Sequence, residues 1–435
     1  MNAQVNKNKI TQGGRSVIVA ALDIGSTKVC CLIARISGSE LVVESGGVNN
    51  GLKILGFGHH RSVGLRAGAV VDLDAAEASV RAAVDHAERM AGVTISSVLV
   101  SLSAGRPRTE QKTVFTAIDG HEVGKRHVNS LLSKMRELGS GSGRTVVHNL
   151  PGGFILDGER GVDEPIGMFG KKLSLNTHVV SVDTGPFRNI ISLVERCHLG
   201  IDAVVVSSLA SSMACLVKDE KELGVTCIDM GGGTTSIAAF AHGSMIYADI
   251  IPVGGAHVTS DIARGLSTPS SYAERIKTLY GSALPSVSDH REMINVPYVG
   301  ENSDDVVNKI PRSMLTGIIQ PRIEEILELL RGRLDHSGFS EMAGKRLVIT
   351  GGASQLNGVR ELAQRVLGKQ VRLGSPPALA GLPDMAQSAP FSTCAGLISY
   401  ARSPLAGDQN IPEWGLASSN GGYFVRVGQW IRENF

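Results

Sequence analysis

One pattern of apolar and polar positions occurs twice in this chain. "VIVAALDIGSTKVCCLIARI" (17–36) is an apolar run, an Asp, a Gly, two hydroxyl residues and a second apolar run. "VTCIDMGGGTTSIAAFA" (225–241) repeats that design about two hundred residues later. Unbroken apolar runs of this length, bounded by turn residues, predict strands buried on both faces. A turn of unusual composition appearing twice predicts two related halves facing one shared ligand. The first half opens with several consecutive strands over 17–59. Asp74 then reads as a helix N-cap, with Glu77 completing a capping box. Val80, Ala83, Val84, Ala87 and Met90 follow on one helical face, and Gly92 ends it.

Further on, "ISSVLVSLS" and "KTVFTAI" read as strands, 122–138 as a helix and "GSGSGR" as a flexible turn. This breaks the surrounding pattern and predicts an inserted subdomain over 85–171. Residues 176–183 predict a strand, 186–198 a helix, and "GIDAVVVSSLASSMACL" a strand running into a helix. The second half opens at Val225 with three short strands, and 255–311 reads as a second insertion. Leu315, Ile319, Ile323, Ile326, Leu327 and Leu330 recur at helical spacing, with a kink expected at Pro321. "RLVITGGASQLNGVRELAQRVL" is strand, Gly-Gly turn, helix. The predicted order is a polar tail over 1–14, then a first half over 15–84 and 172–207. A second half covers 208–254 and 312–402, followed by a linker over 403–420 rich in Pro, Gly, Ser and Asn, and a terminal helix over 421–435.

Composition narrows the classes. The 435 residues carry 43 basic and 41 acidic side chains, a formal net charge of +2. That balance, with aromatics at 4%, excludes a dedicated nucleic-acid binder. The six cysteines form no C-x-x-C pair and sit mostly in apolar runs, as small buried hydrophobes of a reducing compartment do. No stretch reaches the ~18 apolar residues of a membrane span.

The repeated turn is suited to phosphate. Glycines let successive N–H groups point inward as an anion nest. Ser26, Thr27, Thr234 and Thr235 add hydroxyls, and Lys28 a point charge. Asp23 and Asp229 repel phosphate directly, and make sense if a divalent cation stands between, held through water. In "ITGGASQL", Gly351 and Gly352 offer bare backbone on which a flat purine or ribose can lie. No Walker A sequence occurs, which excludes a P-loop NTPase.

This order of elements resembles the actin, Hsp70 and sugar-kinase superfamily, and within it the FtsA family of bacterial actin-like cell-division proteins. The resemblance spans nearly the whole chain, through "LDIGSTKV", "SLASS", "ELGVTCIDMGGGTTSIA", "VTSDIA", "AERIK" and "LVITGGASQLNGV". It implies an α/β, actin-like ATPase fold of two ribonuclease-H-like halves, each with an inserted subdomain, plus a C-terminal amphipathic helix. It implies ATP with Mg2+ in the cleft. Asp23, Gly25, Ser26, Thr27 and Lys28 match the first phosphate loop, and Asp229, Gly231, Gly232, Gly233, Thr234 and Thr235 the second. Gly351, Gly352 and Ala353 match the adenosine loop, and Glu274 and Lys277 the positions that contact ribose and base. Ser236 stands where an acid is often found, and "LPGGF" departs from the family's usual pattern in the first insertion.

The resemblance also implies head-to-tail filaments, self-association and partner contacts through the first insertion, and recruitment of later division proteins. The second insertion, with Arg291, Lys309 and Arg312, would bind the C-terminal tail of the tubulin-like ring protein FtsZ. The location implied is the cytoplasmic face of the cell membrane at the division septum. On a helix, Phe424, Val427, Ile431 and Phe435 form one apolar stripe flanked by Tyr423 and Trp430, with Arg426, Gln429, Arg432 and Glu433 opposite. Such a helix lies in a lipid interface without spanning it. The other superfamily reading is an ATP-dependent sugar-type kinase, which needs a carboxylate base and a sugar pocket. In "VSSLASSM", the connection between the halves, serines stand where a water-orienting Gln, Glu or His would be needed, so any hydrolysis is expected to be slow.

Overall fold

The computed structural model describes residues 16–37, 51–139, 141–300, 307–403 and 405. The N-terminal tail, most of the linker and the whole 421–435 segment, with Tyr423, Phe424, Val427, Trp430, Ile431 and Phe435, lie outside the described residues.

Two five-stranded sheets carry the same topology. The first runs in space Leu52–Arg61, Lys28–Ile36, Val17–Ile24, Ser97–Leu102, Gly200–Val206. The second runs Ser244–Ile251, Thr235–Ala241, Val225–Met230, Arg346–Thr350, Gln370–Leu373. In each, three consecutive strands pair antiparallel and two later strands join parallel to the first. The sequence repeat is therefore a repeat of architecture. Both central strands are buried along most of their length, which is why they read as unbroken apolar runs.

Helices Ser207–Cys215 and Ser392–Ala401 pack against each other at the junction of the halves. Their backbones meet at Gly396, where a Cβ would lie 1.7 Å from the Ala210 carbonyl oxygen. The helix Leu73–Ala91 covers the first sheet through Val80, Ala83, Val84 and Ala87. Its start differs from the predicted one. Asp72 is the N-cap, accepting from the Ala75 N–H at 3.1 Å. Asp74 sits inside the first turn and pairs with Arg196, while Glu77 reaches Arg81 and Arg196 and closes no capping box. Met90 is largely exposed at the sheet's edge, where its Sδ accepts from the Phe57 N–H at 3.3 Å.

The first insertion has its own antiparallel sheet, ordered Arg108–Ala117, Lys172–Asp183, Arg144–Leu156, Glu159–Val162, with helix Lys125–Arg136 and a small separate core. Its edges differ from the predicted 85–171. Residues through Leu102 belong to the first sheet, and the strand Lys172–Asp183, assigned by sequence to the first half, is central here. The second insertion consists of helices Gly255–Gly265 and Ser270–Tyr280 and the ladder Met293–Pro297 with Val307–Pro311. It shares one continuous core with the second sheet and with helix Arg312–His336, which runs unbroken through Pro321.

Candidate functional site

The two repeated turns close alike. Gly25 N–H donates to the Lys28 carbonyl at 3.0 Å, and Gly231 N–H to the Thr234 carbonyl at 2.9 Å. They project from different sheets and abut. A Cβ on Gly232 would lie 2.2 Å from Thr27 Cγ2, and one on Gly233 would lie 2.4 Å from Ser26 Oγ. Glycine is what lets the turns meet. A third backbone packs on the second turn: Gly255 and Ala256, at the start of helix Gly255–Gly265, donate to the Gly231 and Gly232 carbonyls at 2.9 and 2.8 Å. Behind the second turn, Gly351 holds φ at +90°, and a Cβ there would lie 2.3 Å from Asp229 Oδ1. Gly352, one residue on, faces open space, with only Pro390 carbons as near as 3.9 Å.

These turns border a cavity of about 820 Å³, within the size range of small-molecule sites. Ser26, Thr27, Gly231, Gly232, Glu274, Lys277, Gly352 and Ala353 line it, so the predicted loops converge. Glu274 and Lys277 are no ordinary exposed pair. Lys277 Nζ donates to Glu274 Oε2 at 2.7 Å, to Thr259 Oγ1 at 2.9 Å and to the Gly255 carbonyl at 3.2 Å. Thr259 donates in turn to Glu274.

The two aspartates lie behind the turns. Asp23 accepts from Ser101 Oγ at 2.6 Å and Asp229 from Thr393 Oγ1 at 2.8 Å. Burial pushes both carboxyls up, Asp229 to about 6, with the Asp23 charge adding to the rise and Lys28 opposing it. Lys28 itself departs from its expected role. Its ammonium is held by the Pro390 carbonyl and lies 4.0 Å above the Phe391 ring, off the cavity wall. Thr235 is fully buried and donates to the Val253 carbonyl at 2.8 Å, which fixes the turn and leaves no hydroxyl for a ligand. Gly25, Gly233 and Thr234 shape the turns without lining the cavity. Ser26 Oγ accepts from Gly68 N–H at 2.8 Å.

Sequence reasoning missed Arg61, Ser62, Gly255, Thr259 and Asn357 on the wall, and Ser101 and Thr393 as the aspartates' partners. "PVGG" before a helix mirrors "ITGG" and carried a signal for Gly255. The others are single residues with no local pattern. In the second insertion, Arg291 and Lys309 are exposed. Arg312 is not available as expected. It starts its helix folded back on the insertion, 2.9 Å from Glu292 Oε2 and 3.7 Å from Asp289 Oδ1, and donates to the Tyr280 carbonyl at 2.8 Å.

Two like sheets presenting matched glycine–hydroxyl turns to one cleft define an actin-like fold. Solved structures agree. The chain is similar to the PilM–PilN type IV pilus biogenesis complex, with 15% identity, a TM-score of 0.58, and 88% of this chain and 98% of that one covered. It is also similar to MreB5 of Spiroplasma citri bound to ADP, with 12% identity, a TM-score of 0.51, and 88% and 95% covered. The model for cell division protein FtsA matches residues 226–396, and that for the SHS2 domain inserted in FtsA matches 104–181. Cell division protein FtsA of Rhizobium meliloti (strain 1021) is 44% identical over 425 residues, 97% of this chain and 96% of that protein. The Escherichia coli (strain K12) protein of the same name is 34% identical over 426 residues, 96% and 98%. The chain belongs to the FtsA family: it is a cell division protein of the actin-like class.

Proposed function

We propose that the cleft binds ATP with Mg2+ and that the chain polymerises on the cytoplasmic membrane at the division septum, tethering the FtsZ ring and recruiting later division proteins. The observation that carries the nucleotide reading is the convergence of the two equivalent turns on a cavity floored by Gly352 and Ala353. Ser26, Thr27 and the second turn would take phosphate, the Gly352–Ala353 backbone adenosine, and Glu274 and Lys277 the ribose side. The residues suit a cation as well. Asp23 and Asp229 are buried carboxylates whose charge burial disfavours, and a divalent cation held through water would relieve both. Bound Mg2+ would supply neutralisation of phosphate charge. The sugar-kinase reading is weaker, because the carboxylate on the cavity wall, Glu274, is tied to Lys277 and Thr259. MreB5, with its ADP, supports nucleotide use within this fold.

Membership in the family supports the division roles. The first insertion serves self-association, the second the FtsZ tail through Arg291 and Lys309, and the 421–435 segment the lipid surface. A large apolar side chain is worth roughly 1.5–3 kcal/mol when fully buried, and ordering each residue costs about 1–2 kcal/mol. One such segment binds lipid weakly, and a filament presenting many binds tightly through effective concentration.

Flotation of the full chain with anionic liposomes, with and without Mg-ATP, tests this. Wild type should float more with Mg-ATP. Gly352→Asp, which puts a side chain into the open space, should lose Mg-ATP in calorimetry and with it the extra flotation. Truncation after Ser419 should keep Mg-ATP binding and stay in solution. Wild-type affinity in Gly352→Asp would displace the cleft, and a truncated chain that still floats would displace the anchor.

A further inference from the structure

The cavity wall carries three charged side chains, Arg61, Glu274 and Lys277. Lys277 and Glu274 satisfy each other. Lys28, the lysine of the first turn, is committed to Pro390 and Phe391. Arg61 alone of the three makes no ion pair and no side-chain hydrogen bond to any described residue. It is exposed at the rim, a free guanidinium beside a site that already holds two buried carboxylates.

Its position is fixed by the sheet. The strand Leu52–Arg61 pairs antiparallel with Lys28–Ile36, which sets Arg61 opposite Lys28. The next residue, Ser62, donates its N–H to the Thr27 carbonyl at 3.1 Å. Arg61 is thus anchored at the first turn, and the Gly352–Ala353 floor and the Glu274–Lys277 pair belong to other elements of the wall. A guanidinium is a planar fork that holds phosphate oxygens bidentately and keeps its charge at any physiological pH.

We propose that Arg61 is the cation that takes the terminal phosphate, so that this site prefers a nucleoside triphosphate to the diphosphate. The proposal rests on the nucleotide reading above and deepens it: with the turn's own lysine turned away, the charge complement comes from the end of the third strand.

Calorimetry on the full chain with Mg-ATP, Mg-ADP and adenosine separates the possibilities. Contacts to charged groups are the stronger hydrogen bonds, so Arg61→Ala should weaken Mg-ATP by roughly ten-fold or more. It should weaken Mg-ADP much less and leave adenosine unchanged. Arg61→Lys should fall between, because it keeps charge and loses the fork. An unchanged ATP-to-ADP preference in Arg61→Ala overturns the proposal and leaves the cleft standing. Equal loss of all three ligands also overturns it, since that is distortion of the site. A wild-type chain that takes neither nucleotide fails the cleft reading itself and the proposal with it.

Discussion

Replacing Gly232 by alanine tests whether the two turns meet. The backbone at Gly232 is not in the left-handed region, so alanine is allowed there and the effect is purely steric. The new Cβ would lie 2.2 Å from Thr27 Cγ2, 2.7 Å from its Oγ1 and 3.1 Å from its Cβ. Carbon atoms rest about 3.5–4.0 Å apart, so the turns must separate by roughly 1.5 Å or Thr27 must leave its rotamer. Overpacking of this kind costs about 1–3 kcal/mol. The turns belong to different halves, and opening the cleft relieves the overlap without disturbing either sheet. If nucleotide draws the turns together as they stand here, the cost falls on the bound state. Mg-ATP affinity should drop roughly 5- to 150-fold, while the unfolding midpoint without nucleotide barely moves. Thr27→Ala removes the opposing atoms. It should itself weaken binding by loss of a hydroxyl, but Gly232→Ala should then do little further harm. Calorimetry over this double-mutant cycle reads the coupling directly. Equal losses from Gly232→Ala in both backgrounds would show that the turns do not touch, and the shared cleft would have to be redrawn.

Two further outcomes follow from the same geometry. The Asp229 carboxyl is raised from an ordinary 3.8 to about 6, so between those pH values the folded chain holds a proton that the unfolded chain gives up. Stability is thus lost as pH rises through that window. In nucleotide-free protein Asp229→Asn should therefore unfold later than wild type, by a margin that grows from pH 4 to 6 and is constant above; a margin that does not vary with pH would refute the shift. Gly396→Ala would drive a Cβ to 1.7 Å from the Ala210 carbonyl oxygen and force apart the two helices at the junction of the halves. A loss of about 3 kcal/mol or more, at the upper end of overpacking costs, is expected in thermal unfolding, and an unchanged midpoint would mean that these helices are not in contact.

What the sequence made legible was what repeats or runs. Buried strands announce themselves because both faces are covered, and the two turns because glycine and hydroxyl residues interrupt such runs at the same place. Single side chains were harder. Lys28 looked like a phosphate ligand by proximity, but the Pro390 carbonyl and the Phe391 ring hold its ammonium. Thr235 looked like its neighbour Thr234, yet alternation sends its hydroxyl to Val253. Arg312 stood out as a basic residue on a loop and proved to be the first residue of a helix, where Glu292 and the Tyr280 carbonyl hold it. Arg61 was invisible because nothing local distinguishes the last residue of a strand. The inserted sheet was misplaced at both ends for a related reason: a strand's apolar pattern reveals burial and does not reveal which sheet supplies it.

The helix Ser392–Ala401 brings these parts into one mechanical argument. Thr393 donates to Asp229 of the second half, while the Cys394 thiol lies 3.7 and 3.6 Å from the Ala21 and Cys30 carbonyls of the first sheet. One turn of helix therefore touches both halves directly behind the two glycine–hydroxyl turns, and Gly396 seats it on the helix that leads from one half to the other. A body that pivots on this helix can bring its outer subdomains through a large arc while the helix itself moves little. The chain then runs from that helix into its last thirty-odd residues, which carry the proposed lipid-binding stripe. With the pivot there, the helix from which the proposed anchor departs would stay in place as the cleft closes. The anchor's intrinsic grip on lipid should then be the same with nucleotide or without. Any ATP dependence of membrane binding must arise from the number of subunits joined together, since joining subunits multiplies a weak grip without altering it.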